Sequence, residues 1–429
     1  MKIKQVKARE VLDSRGNPTV SADVVLEDGS FGTAMCPSGA STGEKEAVEL
    51  RDGDQHRYNG KGVLKAVSNI NDEISNALTG RDVESQEAFD KLLIELDGTP
   101  FKSKLGANAL LPVSMAFSRA MSHSRKVPLY RQLYERRDYI MPVPCMNVIN
   151  GGRHADNNLD FQEFMIAPHN ASSFREAIRM GEETFHALKG ILKAKGYYTG
   201  VGDEGGFAPN LSTNEEAVEL ILESIVKAGY DPGKDISICL DPAASEMWDG
   251  SKYLFYKSTQ QRMESSELIS LWQSWVTKYP IVLLEDGMGE DDWQGWKQLT
   301  QAMGKNIELV GDDIFCTNPA ILQKGIDERV ANSILIKLNQ IGTVTETLDT
   351  IRLANKHGYH QFLSHRSGET EDTFLADLAV ASNAGHLKTG SGCRSERIAK
   401  YNRLLLIEEE LGVAATFADG ETFKNWNNK

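Results

Sequence analysis

The sequence predicts an α/β TIM-like barrel over residues 139–429, preceded by an α+β domain over residues 1–138. Three observations lead to this fold class. The first forty residues are rich in β-forming side chains, the next stretch has helical periodicity, and the remainder alternates short apolar strands with helical windows. A chain of 429 residues is also long enough for a small domain and a barrel.

The composition, with 40% hydrophobic and 25% charged residues, is typical of a soluble globular protein. No window approaches the roughly 20 apolar residues that a membrane span needs, and no apolar run follows the basic residues near Met1 as in a signal peptide. The five cysteines are far apart and form no C-x-x-C motif, which suits a reducing compartment. We therefore expect a cytoplasmic protein, with surface or secreted pools left open.

The formal net charge is −14, from 47 basic and 61 acidic residues. Such a field repels nucleic acid and anionic lipid, so nucleic-acid binding is not indicated. An anionic substrate would need a bound cation or a local cluster of Lys and Arg.

The N-terminal domain is expected to combine a β-hairpin with three amphipathic helices. The strands fall at 19–26 and 31–36 around a turn at 27–30, and the helices between 61 and 124 are broken at 79–80 and 97–100. Prolines at 128, 142 and 144 bracket the domain boundary.

The barrel is predicted from strands that each end in a polar or charged residue. From Glu285 the spacing to the next such residue is 24 to 27 each time, which is the length of one strand, one helix and two loops. Consecutive parallel βα units of this kind favour a TIM-like barrel, although a doubly wound open sheet gives the same alternation. Barrel chemistry sits at the carboxyl ends of the strands. The residues at these ends are Asp241, Glu285, Asp312, Lys337, Ser364 and Lys388.

Three of these residues, Asp241, Glu285 and Asp312, would place carboxylates side by side and raise one another's pKa. A hard divalent cation removes that penalty, and oxygen ligands suit Mg²⁺. The alternative is that each acid caps a helix or pairs with an arginine.

Lys337 ends an apolar strand and is a candidate general base, with a pKa lowered by desolvation and neighbouring cations. The alternative is a lysine that snorkels to solvent.

Glu204 lies in the glycine-dense segment 200–207. Because glycines allow tight turns and close approach, this segment could present the acid to a ligand; the alternative is a surface turn. The hydroxyls, imidazole and guanidinium of 364–367 are suited to holding a phosphate or carboxylate.

Many motifs, in order, resemble the enolase family over nearly the whole chain. They are DSRGNPTV at 13–20, PSGASTG at 37–43, NVINGG at 147–152, QEFMI at 162–166, VGDEGG at 201–206, LEDG at 284–287, GDD at 311–313, KLNQIGT at 337–343 and SHRSGET at 364–370. The resemblance implies an N-terminal domain and a barrel that opens with a ββαα step before regular βα units.

The resemblance also implies roles for site residues. Asp241, Glu285 and Asp312 would hold the tighter of two Mg²⁺ ions, and Ser41, in a lid loop at 37–43, would help to hold the second. Lys337 would remove the C2 proton of 2-phosphoglycerate and Glu204 would help the C3 hydroxyl to leave. The substrate would be contacted by His154, Glu163, Ser364, His365, Arg366, Ser367 and Lys388.

The activity so implied is the glycolytic, Mg²⁺-dependent, reversible dehydration of 2-phosphoglycerate to phosphoenolpyruvate, by a homodimer or a larger homo-oligomer. Another acid dehydratase of the same superfamily usually carries a Lys-x-Lys or His–Asp pair of bases, whereas Leu335 stands two residues before Lys337. A non-catalytic binding protein would be expected to have lost some implied site residue, and none is lost. An additional binding role stays open.

Overall fold

The computed structural model of the chain describes residues 1–39 and 43–423. Its N-terminal domain opens with β1 (Ile3–Leu12), β2 (Pro18–Leu26) and β3 (Phe31–Met35), which form an antiparallel sheet in that order. Val25 pairs with Phe31 across a turn in which Gly29 has a φ of 86°, a conformation that glycine adopts readily. The predicted hairpin is confirmed.

The helices of this domain are α1 (Leu64–Asn69), α2 (Ser75–Leu78), α3 (Gln86–Asp97), α4 (Ala107–Arg125) and α5 (Leu129–Leu133). A π-helical turn joins the first two, and the chain breaks where predicted, after Leu78 and after Asp97. The hydroxyl of Ser85 accepts from the amide of Ala88 and so caps α3. Helix α4 packs on β2 and β3 and is buried over most of its length.

The later strands and helices alternate, as the spacing predicts. The strands are β4 (Tyr139–Met141), β5 (Val143–Asn150), β6 (Glu163–Pro168), β7 (Ile236–Asp241), β8 (Tyr253–Leu254), β9 (Arg262–Met263), β10 (Ile281–Glu285), β11 (Glu308–Gly311), β12 (Ser333–Ile336), β13 (His360–Ser364), β14 (His386–Lys388) and β15 (Ala415–Phe417). The helices are α6 (Phe174–Ala194), α7 (Asn214–Lys227), α8 (Ser265–Lys278), α9 (Trp293–Met303), α10 (Pro319–Glu328), α11 (Leu338–Ile341), α12 (Val344–Lys356), α13 (Phe374–Ser382) and α14 (Ser395–Leu411).

Eight strands close into a barrel in the order β5-β6-β7-β10-β11-β12-β13-β14. Strand β14 pairs with β5, with Lys388 opposite Cys145, so the open-sheet alternative is wrong. Strand β6 runs antiparallel to both neighbours, and two helices follow it before β7. From β7 to β14 every barrel pair is parallel. The barrel therefore starts with the ββαα step and continues with βα units.

Apolar side chains fill the barrel interior, among them Cys145, Cys239, Leu283, Leu335 and Phe362. At the amino-terminal end of the strands, the C-terminal segment covers this core. There β15 pairs with β4, and the Phe423 ring lies 5.1 Å from that of His386. The residues predicted for chemistry lie at the opposite end, where the strands finish, and the amino-terminal end holds a separate buried pair of Glu308 with His386 at 3.0 Å.

The cysteines of the chain are all free thiols, as expected. Within the described ranges 1–39 and 43–423, no helix combines the length and apolarity that crossing a membrane requires.

A buried ion pair joins the two domains. The guanidinium of Arg119 on α4 donates to both oxygens of Asp372, which follows β13, at 2.6 and 2.8 Å. The same carboxylate accepts the amide N–H of Met35 at 3.0 Å. Burial raises the pKa of Asp372, but Arg119 outweighs burial and holds it below its usual range.

Replacing Asp372 with alanine should therefore destabilise the fold by about 1.5–3 kcal/mol, because the partly buried Arg119 would lose two charged hydrogen bonds. Asp349→Ala is the matched control, since its pair with Arg352 is exposed and worth about 1 kcal/mol or less. Urea denaturation of both variants measures the difference. Equal losses of stability would contradict a structural role for the interdomain pair.

Candidate active site

The polar residues predicted at strand ends meet at one mouth of the barrel, with the exception of Ser364. Asp241, Glu285, Ser364 and Lys388 are the last residues of β7, β10, β13 and β14. Asp312 and Lys337 directly follow β11 and β12. A cavity at this mouth is lined by His154, Gln162, Glu163, Asp241, Ala243, Asp286, Asp312, Asp313, Lys337, Arg366 and Ser367.

The ammonium of Lys388 lies among three buried carboxylates. Its Nζ is 2.7 Å from Glu285, 2.9 Å from Glu163 and 3.5 Å from Asp241. Burial and the neighbouring Asp241 raise the pKa of Glu285 well above its usual range. One ammonium cannot neutralise three ionised carboxylates, so the group is balanced only by partial protonation or by a further cation.

Asp312 has its own cation, since the ammonium of Lys337 forms an ion pair with it. The amide of Gln340 donates to the other carboxylate oxygen at 2.8 Å. Burial lowers the pKa of Lys337, but Asp312 outweighs burial and raises it above its usual value. The expected lowering of this pKa is therefore absent while Asp312 is the partner of Lys337. The positive charges of Arg366 and Lys388 lower the pKa of Lys337.

Two further carboxylates, Asp286 and Asp313, lie beside Asp312, with carboxylate oxygens of all three within 4.8 Å of one another. Asp286 accepts the amides of Asp312 and Asp313 at 2.9 and 3.1 Å, so it orients the loop that carries Asp312. Burial and the neighbouring carboxylates raise the pKa of Asp286 and of Asp313. Several carboxylate oxygens close together form the donor set that a hard divalent cation prefers.

Glu204 belongs to a second group of residues, with His154, Glu163 and His365. His154 Nδ1 is 3.6 Å from Glu204 and 3.8 Å from Glu163, and His365 Nε2 is 3.3 Å from Glu204. The side-chain amide of Asn147 donates to both glutamates. Glu204 is 2% exposed and lies behind His154 instead of lining the mouth cavity.

The environment separates the pKa values of the two glutamates. Burial and the Glu204 charge raise the pKa of Glu163 to about 8. Burial also raises that of Glu204, but the contacts with His154 and His365 and the positive charge of Arg397 outweigh it and hold the pKa well below its usual range. The two pKa values are therefore shifted in opposite directions. Pairs of carboxyl groups with divergent pKa values are typical of acid–base chemistry.

The segment after β13 is divided between two cavities. Arg366 lines the mouth and pairs with Glu46 at 2.9 Å, and the Ser367 hydroxyl accepts from Arg15 at 3.3 Å. Ser364 instead donates to the carbonyl of His365 and lines a separate cavity toward the N-terminal domain. The structure does not bring Ser364 into the mouth.

Ser41, the predicted ligand from the lid loop, lies outside the described residues. Its flanking segment does reach the barrel, because Ser38 and Gly368 exchange backbone hydrogen bonds of 2.7 and 2.9 Å.

Several residues of the site were missed by sequence reasoning. Asn147, Arg15, Asp286 and Asp313 lie inside motifs that carry the resemblance but had no role assigned. The doubled acids at 285–286 and 312–313 were a usable signal for two of them. No signal in the sequence pointed to Glu46, because only the contact between the domains brings it to Arg366.

Comparison with known proteins agrees with the geometry. Residues 3–133 match the family model of the enolase N-terminal domain, and residues 138–426 match that of the enolase C-terminal TIM barrel domain. The chain is 66% identical to Enolase 1 of Chlorobaculum tepidum over 425 residues, which cover 99% of this chain and 100% of that relative. The chain thus belongs to the enolase family of phosphopyruvate hydratases, which are lyases.

Proposed function

We propose that this chain catalyses the glycolytic, Mg²⁺-dependent and reversible dehydration of 2-phosphoglycerate to phosphoenolpyruvate. The observation that carries the proposal is the joint placement of a lysine, a pair of glutamates with divergent pKa values and an excess of carboxylates at one barrel mouth. The family and the 66% identity to Enolase 1 support the same reaction.

The family implies a divalent metal, and the donor set at the mouth fits one. Asp241, Glu285 and Asp312 would hold the first Mg²⁺, because these buried carboxylates now rely on Lys388 and Lys337 for countercharge. Ser41 would contribute to a second ion. Bound Mg²⁺ would stabilise negative charge that develops on the substrate carboxylate.

Lys337 is proposed as the base that removes the C2 proton. Its ammonium lines the cavity and is 12% exposed, so a substrate can reach it. The lysine can accept a proton only after Asp312 finds another countercharge, because Asp312 raises its pKa. Arg366 and Lys388 then favour the neutral amine.

Glu204 is proposed as the acid that delivers a proton to the departing C3 hydroxyl, supported by Glu163. Glu163, whose pKa is raised, would supply the proton that passes to Glu204 before delivery. Carboxylate oxygens of Glu163 and Glu204 lie within 4.8 Å of each other, and both residues accept from the Asn147 amide. The proton therefore has only a short distance to travel. His154 covers Glu204 and would move against the substrate.

The remaining polar residues are proposed to bind the phosphate and carboxylate of the substrate. Arg366, Ser367 and Lys388 supply cations and a hydroxyl at the mouth, while Ser364 and His365 flank them in the chain. This local basic group also explains how a chain of net charge −14 accepts an anionic substrate.

We further propose a homodimer or larger homo-oligomer in the cytoplasm, with the domain boundary between residues 138 and 139. Five free cysteines support a reducing compartment. Strand β4, which starts at Tyr139 and pairs with β15 near the C-terminus, supports the boundary.

Removal of divalent ions with EDTA should abolish turnover, and added Mg²⁺ should restore it. Asp312→Asn should raise the Mg²⁺ concentration needed for half-maximal activity about 10-fold or more, because one ligand charge is lost. Asp327→Asn, on the exposed face of α10, is the control and should leave that concentration unchanged. Full activity of the wild-type enzyme in excess EDTA would contradict the proposal.

Lys337→Ala should lose both phosphoenolpyruvate formation and exchange of the C2 hydrogen with solvent deuterium. Glu204→Gln should lose product formation yet keep exchange, because the base remains. A positioned acid or base is worth about 10²–10⁴ in rate, so NMR of the substrate in D₂O resolves the difference. The exposed Lys234→Ala serves as the control. If exchange is lost only in Glu204→Gln, the two roles are reversed.

A further inference from the structure

Arg397, on α14, is fully buried beside the proposed acid–base group. One terminal nitrogen lies 2.6 Å from Nδ1 of His365 and donates to the carbonyl of Arg366 at 2.6 Å. The other donates to the carbonyls of Asp203 and Ser367 at 2.9 and 2.6 Å. The guanidinium thus connects the loop that carries Glu204 with the segment that follows β13.

The backbone opposite Arg397 leaves room for it. Gly390 has a φ of 87°, and a Cβ atom at this position would lie 2.6 Å from Cδ of Arg397 and 2.8 Å from the carbonyl oxygen of Glu204. Any larger residue would displace the arginine or the Glu204 loop. The position of the guanidinium is therefore specified by its surroundings.

The contact with His365 determines where the imidazole proton lies. A guanidinium has five N–H donors and no acceptor, so Nδ1 of His365 must be the acceptor and cannot carry a proton. The proton of the neutral ring is then on Nε2. That nitrogen lies 3.3 Å from Glu204 Oε2.

We infer that Arg397 is a positioning residue that holds His365 as the neutral Nε2–H tautomer, with this proton on the side of the ring nearer Glu204. The inference rests on the role proposed for Glu204. An imidazole locked in this way can donate a hydrogen bond to Glu204 or to a ligand, but it cannot become imidazolium and hold the carboxylate in an ion pair.

The charges around His365 agree with a neutral ring. Burial lowers its pKa, Glu204 and Glu369 raise it, and Arg397 lowers it, with a result of about 4. Lys400 neutralises Glu369 at 2.7 Å, and the carbonyl of Lys388 accepts the His365 amide at 3.1 Å. Without Arg397, the Glu204 charge would favour the imidazolium.

The direct test is NMR of the full chain with ¹⁵N-labelled histidine. The chain has nine histidines, and loss of one set of signals in His365→Gln assigns the ring. We expect a protonated Nε2, an unprotonated Nδ1 and no titration across the ordinary histidine pKa of about 6.5. A proton on Nδ1, or titration near that value, overturns the inference without any Arg397 variant.

Arg397→Gln replaces the donor with an amide whose oxygen can accept from Nδ1–H. His365 should then titrate, and kcat should fall about 10- to 100-fold, with the loss growing as the pH drops below the new pKa. Arg397→Lys still offers only donors and should keep His365 neutral, with part of the activity restored. Arg403→Gln, on the same helix but paired with Asp377, should leave the His365 signals unchanged.

A folded Arg397→Gln variant whose His365 keeps its tautomer and does not titrate would also overturn the inference. The spectra do not depend on turnover. A wild-type chain with a locked His365 but no dehydration of 2-phosphoglycerate would therefore refute the proposed function alone.

Discussion

The crowding of buried carboxyl groups at the barrel mouth is the constraint on which the rest of the site depends. Asp241, Glu285 and Glu163 share the single ammonium of Lys388, and Asp312 uses that of Lys337. Carboxylates this close raise one another's pKa and destabilise the fold unless cations neutralise them. The chain tolerates the arrangement because its own lysines supply part of the countercharge, and the remainder favours a divalent ion.

The fold supplies this concentration of charge. Parallel strands finish at the same edge, so one polar residue per strand end is sufficient to gather Asp241, Asp312 and Lys337 around one cavity. Strand β6 runs antiparallel to its neighbours, so it begins at the mouth where they end. Its first residue, Glu163, therefore joins the site. The N-terminal domain adds Glu46 and Arg15, held against the barrel by contacts such as the Arg119–Asp372 pair.

Much of this arrangement could be predicted from the sequence, because strand ends follow from the spacing of apolar runs. The barrel and the placement of Asp241, Asp312 and Lys337 at its mouth were predicted in this way. The directions of side chains at and beyond the strand ends could not be predicted, because they depend on the loop that follows. Ser364 faces the domain interface, and Glu204 lies behind His154. The raised pKa of Lys337 was also missed, because it arises from a pairing with Asp312 that strand spacing does not show.

Thermal unfolding in Mg²⁺ and in Na⁺ at equal ionic strength tests the central claim most directly. An ion that binds only the folded chain stabilises it by about 2.7 kcal/mol at a hundred times its Kd. The account predicts that the melting temperature of the wild-type chain rises with Mg²⁺ and keeps rising slowly above Kd, and that Na⁺ does not reproduce the rise. Equal melting temperatures in the two salts would contradict the claim that a divalent ion neutralises the carboxyl groups crowded at the mouth.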